Sequence, residues 1–224
     1  PYLLIGEIYE EQGKTQQALE EYDAALKVAP DSSEVLYRKA LLLEKNKDFA
    51  GALSCYRELE KLAVSPVYLL NIPRLLEQLE KPEEALEKTR QIAAKYPDDI
   101  AVLSYLAQTL EKNKLYDEAI ATYEKLRNLD PQNIWPLNRI TSLLEQQGKV
   151  AQAAALFRGF ISSYPQNEEA YFNFVNFALR TNQIITTSYF LKSLIDQQPP
   201  NRAALRAYIS LSQGANALDD CISY

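Results

Sequence analysis

One pattern is written five times along the chain, as YEEQGKTQQALEEY, LEKNKDFAGALSCY, LEQLEKPEEALEKT, LEKNKLYDEAIATY and LEQQGKVAQAAALF. Its anchor alanines are Ala18, Ala52, Ala85, Ala119 and Ala153, with Thr187 in the sixth place, at steps of 34, 33, 34, 34 and 34 residues. A fixed period of this length signals stacked supersecondary units, none of which buries its apolar face alone. Pro30, Pro97, Pro131, Pro165 and Pro199 close the units, and the missing proline, at Val64, falls where the step shortens to 33.

Each unit reads as two amphipathic helices. In the fourth, Leu103, Leu106, Ala107 and Leu110 share one face of a first helix, and Ala119, Tyr123 and Leu126 share one face of a second. Turn formers lie between the two, among them Gly13, Asn113, Gly148 and Asn182, which suit a helix C-cap. Pro82 suits the first turn of a second helix, where its missing N–H costs nothing. A small anchor residue lets paired helices approach closely, and Tyr22, Tyr56, Tyr123 and Phe157 fill the space beside it.

These positions resemble the tetratricopeptide repeat. The first unit carries the pattern at Tyr2, Ile5, Gly6, Tyr9, Ala18, Tyr22, Ala25 and Pro30. The resemblance implies an all-α fold, an α-solenoid wound as a right-handed superhelix of stacked antiparallel helix-turn-helix units. It divides the chain into units at 1–32, 33–65, 66–99, 100–133, 134–167, a degenerate 168–201 and a partial 202–224, together one solenoid over 1–224. The seventh unit reads as a first helix followed by a short second one after Gly214. The chain has no starting Met and opens inside a repeat, so it is expected to be part of a longer protein. The apolar end at Ile222 and Tyr224 calls for more chain, a partner or a second copy to cover it.

Composition removes several functions. There is no histidine, so no Ser-His or Cys-His pair and no imidazole metal ligand arises within the chain. No strand-bounded pocket, Gly-rich phosphate loop or metal cluster accompanies the carboxylates, and the expectation is no catalytic residue, no cofactor and no metal. Lys plus Arg number 24 against 30 for Asp plus Glu, a net charge of −6 that opposes nucleic-acid and anionic-membrane binding. No run of 18 apolar residues is present, so membrane insertion is not expected. The two cysteines, Cys55 and Cys221, are too far apart in a stacked array to meet and read as free thiols. They fit a reducing compartment, weakly the cytoplasm.

In the resembling family the first helices line a concave groove that takes partner peptides. Carried over by position, the groove holds Arg38, Arg74, Arg139 and Arg206, which suit carboxylates and aromatic rings. It also holds the aromatics Tyr37, Tyr105, Trp135 and Phe172, of the kind that anchor interfaces. Asn71, Asn138, Asn173, Asn176 and Gln108 add amides able to pair with a peptide backbone, and Glu7, Leu41, Ser104 and Ser142 complete the face. The implied function is a non-catalytic protein-interaction scaffold or adaptor binding a partner protein or extended peptide with acidic and apolar residues. The alternative is a substrate-recruiting or assembly arm of a larger enzyme, secretion or envelope complex. A known subclass clamps a C-terminal carboxylate with Lys, Asn and Arg over three units, and no three units here reproduce that set.

Three local features carry further expectations. Glu10, Glu44, Glu77, Glu111 and Glu145 form a ladder near the ends of first helices, stopping at Leu179, either as surface helix formers or as a groove edge repelling acidic ligands. Pro73 falls within a first helix and should bend it. The sixth unit carries Tyr171, Phe172, Phe174, Phe177, Tyr189 and Phe190, most of them core and Phe172 exposed, which makes the C-terminal units a candidate surface for self-association.

Overall fold

The computed structural model describes residues 1–62, 64–197 and 201–222, with side chains as far as residue 216. Pro199, Tyr224 and the side chains of Cys221 and Ile222 lie outside the described residues. Every regular element among them is an α-helix. The chain packs as two compact bodies, residues 1–115 and 116–224. The first body holds α1 (Tyr2–Glu11), α2 (Thr15–Val28), α3 (Ser33–Lys45), α4 (Phe49–Glu60), α5 (Pro66–Leu69), α6 (Asn71–Gln78), α7 (Pro82–Lys95) and α8 (Ile100–Lys112). The second holds α9 (Tyr116–Leu129), α10 (Ile134–Gln146), α11 (Val150–Ser163), α12 (Glu168–Arg180), α13 (Ile184–Ile195) and α14 (Arg202–Ile222).

Within each body the packing follows the anchor positions. Ala18, Ala52 and Ala85 of the first body have no exposed surface, and neither have Tyr22, Tyr56 and Thr89 one helical turn later. Ala119 with Tyr123, and Ala153 with Phe157, repeat the arrangement in the second. The methyl group keeps the hairpin partners close, and the ring one turn on fills the space between them. In the sixth place Thr187 is fully buried and its hydroxyl finds no hydrogen-bond partner. Cys55 is free and buried among apolar neighbours, which pushes its thiol pKa up and makes it a poor nucleophile.

The hairpin turns share one geometry. A residue with positive φ follows each first helix at Gly13, Lys47, Glu80, Lys114, Gly148 and Asn182. The next backbone N–H then reaches back across the last turn, as Asp48 N to Leu43 O at 2.9 Å and Lys149 N to Leu144 O at 2.8 Å. This closure satisfies carbonyls that the helix end would leave unpaired. Asn113 is the C-cap of α8, as its place between the helices suggested, and the left-handed residue is the next one. Asn113 keeps φ −84° and its amide donates to Thr109 O at 2.8 Å, while Lys114 takes the left-handed conformation. Register within the closure, rather than residue preference, decides which residue turns.

Asp99, Asn133, Asn167 and Asn201 accept backbone N–H bonds at the starts of α8, α10, α12 and α14. Each side chain satisfies an orphan donor of the first turn. Pro73 interrupts its helix: α5 ends at Leu69 and α6 begins at Asn71. Its ring removes the N–H that would bond four residues back. Pro136 leaves α10 unbroken because it falls in the first turn, where an N–H has no intrahelical partner. Gly214 does not end a helix as expected, since α14 runs on to Ile222. A Cβ there would stand 2.6 Å from Leu179 Cδ1, so the glycine lets α14 lie close against α12. Among the sixth unit's aromatics, Tyr171, Phe174 and Phe177 are buried, and both Phe172 and Tyr189 are exposed.

Candidate functional site

The residues assigned to a partner lie on first helices in both bodies, and the structure shows what each touches. In the first body Tyr37 is half-buried, its ring edge-on to Tyr68 at 4.8 Å and to Tyr56 at 6.2 Å. Leu41 is exposed beside it. Asn71 donates to Tyr68 O at 3.1 Å, and its Oδ1 accepts from Arg74 Nη2 at 2.9 Å. Tyr105 is half-buried, and that burial, with Glu77 nearby, pushes its phenol pKa up to about 12. Gln108 is exposed.

In the second body Trp135 stands edge-on to Tyr123 at 5.5 Å and keeps 37% of its surface open. Asn173 donates its amide to Asn138 Oδ1 at 3.2 Å, linking α12 to α10. Arg139 is half-buried, Asn176 is exposed, and Phe172 is 64% exposed.

The arginines are not idle. Arg38 pairs with Glu7 at 3.2 Å, Arg74 with Glu44 at 2.6 Å, and Arg206 with Glu168 at 2.9 Å. Lys112 with Glu77 and Arg180 with Glu145, both at 2.6 Å, complete a series. In all five pairs the carboxylate is on one first helix and the cation on the next one along the chain. Arg38, Arg74 and Arg206 thus face carboxylates of their own chain while keeping a third or more of their side-chain surface open.

The glutamate ladder belongs to the same construction. Tyr22 donates its hydroxyl to Glu10 at 3.0 Å and Tyr56 to Glu44 at 2.9 Å. Glu44 also accepts Arg74, and Glu77 and Glu145, whose equivalent second-helix residues Thr89 and Phe157 carry no phenol, pair with Lys112 and Arg180. Arg180 is bidentate, and its hydrogen bonds hold the Glu145 carboxyl below the usual carboxylate range. Glu44, Glu77 and Glu145 thus tie hairpin to hairpin, a role their surface-like spacing does not announce.

Each body has a hollow beside its own first helices. In the first body a cleft of about 470 Å³ lies between α3 and α5, with Tyr37, Leu41, Val64 and Tyr68 as walls, Leu59 beneath, and Glu34 and Arg38 among its polar lining. In the second a smaller hollow of about 150 Å³ lies between α12 and α14, lined by Tyr171, Phe172, Val175 and Ala207, with Arg206 and Glu168 alongside. Sequence reasoning missed Glu34, Val64, Tyr68 and Glu168. A signal for the first cleft was present in the shortened step and missing proline at Val64, which leads into α5 and lines the cleft. Among the described residues no three Cys, Asp or Glu side chains gather where they could hold a metal ion, and no helix is long and apolar enough to cross a membrane.

Comparison with known proteins adds the family. Three models described as tetratricopeptide repeat match residues 3–63, 76–137 and 139–167. The N-terminal acetyltransferase A complex auxiliary subunit of Arabidopsis thaliana is 25% identical over 73% of this chain, and tetratricopeptide repeat protein 21B of Xenopus laevis is 25% identical over 62%. The matched stretches span only 20% and 11% of those proteins. Among solved structures, YrrB, described as a TPR protein with an unusual peptide-binding site, aligns at TM-score 0.53 and 16% identity, covering 76% of this chain and 88% of that one. A tetratricopeptide repeat protein of Parabacteroides merdae aligns at 0.58 and 16%, covering 95% and 85%. PilF of Pseudomonas aeruginosa aligns at 0.53 and 20%, covering 95% of both chains. At such identities these structures speak for the fold alone.

Proposed function

The chain belongs to the tetratricopeptide repeat superfamily, and from that premise we propose that it is a non-catalytic interaction scaffold whose first helices receive a partner protein or extended peptide. The observation that carries this is the exposure of large apolar side chains on that face beside the two hollows: Phe172 at 64%, Leu41 at 40% and Tyr68 at 38%. Rings left partly open next to a depression supply anchor area at little entropic cost. Asn173 Oδ1 and Asn138 Nδ2 keep amide groups for a peptide backbone once their mutual bond is made. The peptide-binding site of YrrB, a protein of the same fold, agrees with this reading.

Photo-crosslinking tests it. A benzoylphenylalanine at Leu41 or at Phe172 is expected to capture partner adducts in cells, while the same group at Glu87, exposed on α7, captures none. Equal adducts from all three positions would remove the first-helix face from the proposal.

A second reading draws on the likeness to an acetyltransferase complex auxiliary subunit. Here the array is the recruiting arm of a larger assembly whose active part lies on another chain or segment. Adducts at Leu41 and Phe172 that identify a catalytic subunit distinguish it from a free-standing adaptor. Self-association is a further property we assign to the C-terminal units, on the exposure of Ile185 and Tyr189 one turn apart on α13. Light scattering of wild type and Tyr189→Asp tests it.

A further inference from the structure

The cleft between α3 and α5 has a charge balance opposite to the one expected from the sequence. Arg38 at its side is drawn to Glu7. Glu34, exposed in the first turn of α3, is the one carboxylate lining the cleft and has no ion-pair partner among the described residues. The adjoining hollow shares Arg38 and is lined by Glu7, Glu10, Glu11 and Lys45. Together the two depressions carry four carboxylates, Glu7, Glu10, Glu11 and Glu34, against two cations, Arg38 and Lys45. The walls of the first are apolar and aromatic: Tyr37 and Tyr68 meet edge-on, and Leu41 and Val64 lie beside them.

We propose that this cleft recognises, in an extended partner peptide, a leucine-sized or aromatic side chain flanked by a lysine or arginine. The inference rests on the interaction reading above and adds the chemistry of the partner. The apolar side chain enters between Tyr37, Leu41 and Tyr68, where its burial releases water from surfaces the protein cannot cover itself. The flanking cation meets Glu34 and the surplus negative charge beyond Arg38, which favours basic ligands and disfavours acidic ones. Arg38 is offset in charge by Glu7 at 3.2 Å, which weakens its pull on a partner's carboxylate.

The test is a random peptide library displayed on phage and panned against the full chain, followed by anisotropy titration of the synthesised winners. The expected winners place Leu, Ile, Phe, Tyr or Trp within two positions of Lys or Arg. Their affinity should fall about tenfold or more for Tyr68→Ala. Glu34→Arg should weaken them similarly, and panning that variant should select acidic flanks instead. Circular dichroism melts confirm that both variants stay folded. Winners with acidic flanks, or winners indifferent to Glu34→Arg and Tyr68→Ala, would overturn this inference and leave the scaffold reading standing. Failure of any peptide to enrich would also overturn this inference, while the scaffold reading falls only if crosslinking at Leu41 and Phe172 captures no more than at Glu87.

Discussion

The Tyr56 hydroxyl donates to Glu44 Oε1 at 2.9 Å, and the other oxygen of the same carboxylate accepts Arg74 at 2.6 Å. One glutamate on α3 thus binds the helix it is paired with in its hairpin and the first helix that follows. Tyr56→Phe removes one of the two bonds and should cost about 1–2 kcal/mol in urea denaturation. Glu44→Ala should cost more, because both the phenol and the guanidinium lose their acceptor. If Glu44→Ala is no worse than a surface substitution, the carboxylate is not a structural node.

Lys47, Glu80 and Lys114 occupy left-handed conformations that elsewhere in the repeat are taken by Gly13 and Gly148. A side chain there crowds the following carbonyl oxygen. Replacing each with glycine should raise stability by up to ~1 kcal/mol per site, the relief being partly offset by the freer unfolded chain. The same change at Ala155, exposed inside α11, should lower stability, which gives thermal melts an internal control.

Thr187 stands in the anchor place with its hydroxyl buried and unbonded. Thr187→Val keeps the volume and removes the polar group, so it should stabilise the chain by about 1 kcal/mol. Loss of stability in calorimetry would mean that the hydroxyl does have a partner in solution.

Alkaline titration offers a check on the buried phenols. Burial, then the bond to Glu10 or Glu44, raises the pKa of Tyr22 and of Tyr56, and burial with Glu77 raises Tyr105 to about 12. Above the unfolded value of about 10 the unfolded chain releases these protons while the folded chain keeps them, so stability falls as pH rises. Absorbance at 295 nm should show these phenols, and Tyr171, whose pKa burial also raises, ionising late, together with unfolding. Tyr56→Phe should flatten the alkaline fall.

The Glu145–Arg180 pair acts at the other end of the scale. The folded carboxyl pKa lies below its unfolded value, so the pair contributes above about pH 4.3, and the contribution is lost as pH falls through the folded value. Arg180 is 60% exposed, and solvent screening limits the gain to about 1 kcal/mol or less. The stability gap between wild type and Arg180→Ala should be open at pH 7 and close in acid. A gap that persists at pH 2 would point to packing of the arginine stem.

The hairpins were legible because their causes are local and periodic. Ala18, Ala52, Ala85, Ala119 and Ala153, with an aromatic or Thr89 one turn later, impose close helix pairing wherever they recur, and the structure has them all buried. Pro73 announced a break because a missing N–H acts within its own helix. Gly214 misled because glycine costs a helix only about 1 kcal/mol, which contact of α14 with Leu179 outweighs.

The first-helix face was legible in position but not in its bonds. Helical phase put Arg38, Arg74 and Arg206 on the expected helices; the reach of each guanidinium to a carboxylate 30 to 38 residues earlier depends on how neighbouring helices are spaced and offset. Glu44 and Glu145 make the same point from the carboxylate side, since Glu44 meets both Tyr56 and Arg74 while Glu145 meets Arg180, contacts set by residues on neighbouring helices. The order of residues is enough to set the period, the helices and the side chains that must be buried, because those follow from backbone geometry and side-chain size repeated in register. Which surface charges are already spent on one another, and which, like Glu34, are left over, is settled only when the helices pack, because an ion pair is set by distances between helices that a one-dimensional pattern does not contain.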